Sequence, residues 1–146
     1  MNGKLVSLFL TAALATPAAV VGQSGAPDLR VEQPWARRAA MLTGGGNSAV
    51  YATIVNAGNM PDALLAAGSD AAEAVEVHET YQQSGMTGMR RVQRIEVPAG
   101  GRVELKPGGF HIMLLNLKHD LKPNSVVELV LRFDGAGRVP VRATVR

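Results

Sequence analysis

The chain has no cysteine among its 146 residues. That excludes disulfide staples, thiolate metal sites, thiol enzymes and attachment to a lipid through a cysteine. Aromatic residues make up only 4% of the chain, so a core must rest on Val, Leu, Ile and Ala. There is no basic run with interleaved aromatics. The adjacent basic pairs are Arg37-Arg38 and Arg90-Arg91, and the formal charge is +3. Nucleic acid is therefore not expected as a partner. Beyond the first thirty residues no apolar run is long enough to span a bilayer, so stable membrane insertion of the mature chain is not expected either.

The first thirty residues have a composition of their own. Lys4 supplies a positive start, Leu5 to Ala15 is a short apolar run, Pro17 breaks it, and mostly small residues follow from Ala18 to Ala26. This is the layout of a secretory signal peptide, too short for a transmembrane helix. The expectation is a leader over residues 1–26, cleaved between Ala15 and Ala26, and an exported, periplasmic domain over residues 27–146. About 120 residues make one domain of common size. In an oxidising compartment thiols pair or oxidise, and methionine is the remaining soft ligand.

The mature part reads as short strands between turn signals. Strands are expected around Leu29–Trp35, over Ala49–Val55, Ala63–Ala67, Ala74–Thr80, Arg91–Val97, Arg102–Leu105, Phe110–Leu117, Val126–Phe133 and Val139–Val145. The turns are marked by Pro98-Ala99-Gly100-Gly101, Pro107-Gly108-Gly109 and Asp134-Gly135-Ala136-Gly137. Thr43 to Asn47 and Tyr81 to Gly88 read as loops, and Asp70 to Ala74 as a single helical turn. The density of turns and the lack of an amphipathic helix point to an all-β sandwich or barrel.

Histidine and methionine carry the chemistry. His111 and Met113 are two residues apart on an expected strand and so share a face, with Ile112 and Leu114 directed into the core. His78 closes another expected strand. There Val75 and Val77 face the core, and Glu76 shares the opposite face with His78. Met89 begins the returning strand after a loop, near enough to join His78. Two imidazoles and two uncharged thioethers suit Cu(I), whereas zinc, calcium and magnesium are poorly served without carboxylates. A blue-copper electron-transfer site would need a thiolate. Neither paired catalytic carboxylates nor a third clustered histidine is present, so a binding protein is expected rather than an enzyme. The competing expectation is a metal-free, immunoglobulin-like secreted adhesion or assembly module. His119 fits no ligand spacing and reads as a surface residue. Met86 reads as a hydrophobic wall or spare ligand, Trp35 as packing, and Glu76 and Asn116 as groups able to orient a histidine.

At these residues the sequence resembles the periplasmic copper chaperones of the PCu(A)C type. Their pattern is His, ten residues, Met, twenty-one residues, His, one residue, Met, and His78, Met89, His111 and Met113 match every spacing. Val77-His78-Glu79-Thr80, Met86 to Arg90, the two Pro/Gly turns, Trp35-Ala36-Arg37 and Tyr51 to Asn56 are also similar. The resemblance implies a cupredoxin-like or immunoglobulin-like β fold and a solvent-near Cu(I) site formed by these four residues. It further implies delivery of copper to a respiratory oxidase subunit or to another assembly factor. The His- and Met-rich tail of some relatives, which binds Cu(II), has no counterpart in the residues up to Arg146.

Overall fold

The computed structural model describes residues 25–40 and 45–146. The expected leader up to residue 24, Met41 and Thr43-Gly44 lie outside the described residues. Ten strands follow in order: β1 (Leu29–Ala36), β2 (Ser48–Asn56), β3 (Asp62–Gly68), β4 (Ala72–Gln83), β5 (Met86–Arg91), β6 (Ile95–Val97), β7 (Arg102–Leu105), β8 (Phe110–Leu117), β9 (Val126–Phe133) and β10 (Arg138–Val145). No helix occurs among the described residues, so the all-β expectation is met. The Asp70–Ala74 segment is a correction, because β4 already begins at Ala72 and only a turn precedes it.

The strands run β5-β4-β8-β2-β1-β10-β9-β3-β6 across one continuous sheet, with β7 pairing β2 beside β8. Neighbours are antiparallel except β1 and β10. The sheet curls so that β3 packs against β4, and β6 lies near β2 and β7, wrapping a single core. Period-two patterning sets which side faces inward. On β9 Val127, Leu129, Leu131 and Phe133 are buried, and on β8 Ile112 and Leu114. Full burial of each such side chain contributes about 1.5–3 kcal/mol. The other face of β4 and β8 is thereby left free to carry polar groups.

Two local devices position that face. In β1 the register slips between Glu32 and Trp35, where Gln33 adopts φ 49° before Pro34. This bulge sets Trp35 opposite Tyr51. The second device is the β4–β5 connection. Tyr81 to Gly88 is not the loop expected from sequence. Gln83 pairs with Met86, leaving only Ser84 and Gly85 in the turn, at φ 51° and 77°. Two successive positive φ values define the turn that matches strand twist, so both strands extend to the tip. His78 therefore lies mid-strand rather than at a strand end, and Met89 is fourth in β5 rather than first. Likewise Arg91–Val97 is not one strand, since pairing with β4 ends at Arg91 and β6 begins anew at Ile95 beside β3.

Asp62, only 3% exposed, ties β3 to the β9–β10 turn. Its carboxylate accepts hydrogen bonds from the backbone N–H groups of Ala63, Gly135 and Ala136 at 2.7, 2.7 and 2.8 Å. Burial pushes the carboxyl pKa up, but these donors and the nearby Arg94 together outweigh it and hold it below its ordinary value. Its stabilisation is thus complete at neutral pH and is lost as pH falls through the depressed pKa. Asp62→Ala should cost about 2 kcal/mol, because the N–H groups are left unsatisfied. Urea unfolding at neutral pH checks this, and the gap between parent and variant should shrink in acid.

Candidate metal site

Cross-strand register gathers the expected site residues on the outer face of β5, β4 and β8. His78 on β4 stands opposite His111 on β8 and, on its other side, opposite Arg91 on β5. The two imidazole rings are 5.8 Å apart, centre to centre. Met113 is opposite Glu76, and Met89 is opposite Thr80. The methionines thus occupy positions diagonal to His78, in opposite directions along the strand, on the order of 7–8 Å away at their roots. Met113 is half-buried, whereas Met89 is 58% exposed. The structure brings the histidines into ring contact and sets one methionine on each side of them.

The histidines are held in complementary ways. His78 Nε2 lies 2.7 Å from Glu76 Oε2. His111 Nδ1 lies 3.1 Å from the Gly109 carbonyl oxygen. A carboxylate and a carbonyl can only accept, so each of these ring nitrogens carries the proton. The lone pairs are then on His78 Nδ1 and His111 Nε2. These two atoms are the buried side-chain polar atoms without a hydrogen-bond partner among the described residues. Buried polar atoms are normally paired. Two orphaned lone pairs on facing rings, each fixed from behind by an acceptor, form the arrangement of imidazole metal ligands with their outer supports.

Electrostatics favour the neutral form of His111. Burial lowers the pKa of His111 below the ordinary histidine value, and the positive charges of His78 and Arg37 add to this. The hydrogen bond to Gly109 opposes the shift but does not cancel it. Glu76 is held below the usual carboxylate range chiefly by its hydrogen bond to His78, with Arg91 assisting against burial. Arg91 Nη1 is 3.6 Å from Glu76 Oε1. Among the described residues no group of three or more His, Cys, Asp or Glu side chains converges. Besides the two imidazoles, the candidate ligands on this face are the thioethers of Met89 and Met113.

The remaining candidates separate from the site. Met86 pairs with Gln83 and so lies on the opposite face of the β4–β5 hairpin from His78. That removes it as a spare ligand on the site face, and at 71% exposure it is not a wall under a loop. Asn116 bonds Glu73 and Asn47 rather than a histidine. His119 is exposed past the end of β8, with Nδ1 3.2 Å from the Asp120 carbonyl oxygen. Trp35 is half-buried and stacks on Tyr51 at 4.6 Å, and Tyr51 is 6.3 Å from His111. Tyr51 was not singled out by sequence reasoning. Its signal was its place on β2, one rung along from Ala49, which pairs with Met113.

The fold and these residues define a class: an all-β domain with a candidate His/Met site on the outer face of its sheet. The family model described as "Putative lipoprotein LpqE-like" matches residues 29–145. Putative lipoprotein Lxx21020 of Leifsonia xyli is 31% identical over 83% of this chain and 71% of its own length. The Uncharacterized protein RP573 of Rickettsia prowazekii is 35% identical over 70% of this chain, which spans 58% of that relative's length. Solved structures with the same fold include the apo PCuAC domain from PmoF1. It has a TM-score of 0.67 at 30% identity, covering 81% of this chain and 92% of that one. The copper-bound PCuAC domain from PmoF2 has a TM-score of 0.64 at 28% identity, with the same coverage. The Cu(I) form of DR1885 from Deinococcus radiodurans has a TM-score of 0.61 at 31% identity, covering 86% and 83%. The chain belongs to the LpqE-like, PCu(A)C-type family.

Proposed function

We propose that this protein is a periplasmic copper chaperone that binds one Cu(I) through His78, Met89, His111 and Met113. The observation that carries the reading is the pair of buried, unpartnered lone pairs at His78 Nδ1 and His111 Nε2, flanked on the same face by two thioethers. Soft, uncharged sulfur favours Cu(I) over Cu(II) and over hard ions. Copper is the cargo: the site is open at Met89, and an ion held near the surface can pass to another protein. The recipient is a respiratory oxidase copper centre or another assembly factor, and the protein acts by binding and transfer, without catalysis. The leader over residues 1–26 sends the 27–146 domain to the periplasm.

Retention of Cu(I) after anaerobic desalting, followed by competition with a Cu(I) chelator, tests the reading. One equivalent should be retained. Met89→Leu and Met113→Leu conserve apolar volume and should change folding stability by less than about 1.5 kcal/mol, yet each should weaken Cu(I) binding. His119→Ala and Met86→Leu should be silent. No copper retained, or loss on His119→Ala with none on Met113→Leu, would overturn the assignment. Retention of no metal would favour the adhesion or assembly module instead.

Glu76 orients His78 through the contact at its Nε2, without touching the ion. Glu76→Gln should therefore lower Cu(I) affinity by about tenfold, the lower range for an outer-shell partner. Competition titration checks this, and an affinity equal to the parent's would remove Glu76 from the site.

A further inference from the structure

We infer that the face around the His/Met site is a docking surface for an acidic protein, steered by the guanidinium of Arg37 together with Arg146. The inference rests on the Cu(I) reading above. The backbone N–H of Arg37 donates to the Ala49 carbonyl oxygen at 2.9 Å, which continues the β1–β2 ladder one rung past Trp35. Ala49 in turn pairs with Met113. Arg37, Ala49, Met113 and Glu76 therefore lie in one cross-strand row. Two strand spacings, about 10 Å, separate the Arg37 and Met113 backbones. Ala49 between them is too small to screen one from the other.

Arg37 has no acidic partner among the described residues, in contrast to Arg90 and Arg91, which pair with Glu79 and Glu76. Glu76, the carboxylate within the site, is already taken up by His78 and Arg91. Arg146 lies 5.5 Å over the Trp35 ring, at the end of the ring row that leads through Tyr51 to His111. A cation with no ion pair among the described residues, set beside a cation site, weakens metal binding slightly. It does attract an anionic partner to the place where the cargo is held, which raises the rate of encounter. Carboxylates on the partner's surface would pair with Arg37 and Arg146 while its own ligands meet the exposed Met89.

The test uses two synthetic acceptor peptides with the same Met- and His-containing Cu(I) core, one flanked by six glutamates and the other by six lysines. At low salt the Cu(I)-loaded protein should give up copper to the glutamate peptide about tenfold faster than to the lysine peptide. The preference should collapse at about 1 M salt. The Arg37→Gln, Arg146→Gln double variant should reduce it to about threefold or less, with equilibrium Cu(I) affinity within about threefold of the parent. Equal rates on the two peptides, or an unchanged preference in the variant, would overturn the inference. Equal rates with arginine-dependent binding to phosphatidylglycerol vesicles would assign the surface to a membrane instead. A protein that retains no Cu(I) before mixing overturns the copper reading itself and the inference with it, and that outcome is visible before any peptide is added.

Discussion

His111→Ala should lower Cu(I) affinity by more than about 100-fold, beyond the range expected for loss of an outer-shell partner. His111 contributes a lone pair already aimed and desolvated: it is 3% exposed, its Nδ1 is tied to Gly109, and its Nε2 has no partner among the described residues. None of that ordering remains to be done when the ion arrives. His78→Ala should have a similar effect, because it removes the facing lone pair and also releases Glu76 from its hydrogen bond. Apo-protein melts serve as the folding control. The His111 side chain makes one hydrogen bond among the described residues, and the backbone pairing of β8 with β4 does not depend on it, so the variant should leave a folded domain. Chelator competition on both variants checks the result, and a loss of less than tenfold in either would exclude that residue as a ligand.

Acid should release the metal steeply. An imidazole binds copper only when neutral, whereas thioethers do not titrate. Once both histidines take up protons, affinity should fall by up to about 100-fold per pH unit, one factor of ten for each proton displaced. His111 enters this regime below the usual histidine range, because burial has lowered its pKa. Binding should therefore persist through mildly acidic pH before dropping. The same shift bears on stability. A histidine whose pKa is lower in the folded state binds protons more readily when unfolded, so its contribution is full above about pH 6.5 and is lost as pH falls. Cu(I) competition between neutral pH and about pH 5 should show a slope that steepens in acid. A flat profile would contradict a two-histidine site.

The legible part of the molecule was the part governed by period two. Glu76-Val77-His78 and His111-Ile112-Met113 alternate strictly, so the outward set could be read from spacing, and Val77, Ile112 and Leu114 are indeed buried. The Pro/Gly turns also fell as expected. What could not be read was register across strands. Ser84-Gly85 closes the hairpin in two residues, but the flanking Tyr81 to Gly88 segment is polar and glycine-containing and resembles a loop. That error moved His78 from a strand end to mid-strand and left the faces of Met86 and Met89 unassigned. Only pairing shows that Met86 lies behind the hairpin and that Arg91, Tyr51 and Arg37 share the site face. Arg37 carries no local signal at all, because its relation to Met113 runs through two non-consecutive strands.

X-ray absorption at the copper edge on the Cu(I)-loaded protein tests the central claim most directly. Two sulfur and two nitrogen scatterers are predicted, with one sulfur lost in Met89→Leu, one in Met113→Leu, and both in the double variant. A shell of nitrogen and oxygen alone in the parent, or sulfur that survives in the double variant, would contradict the account.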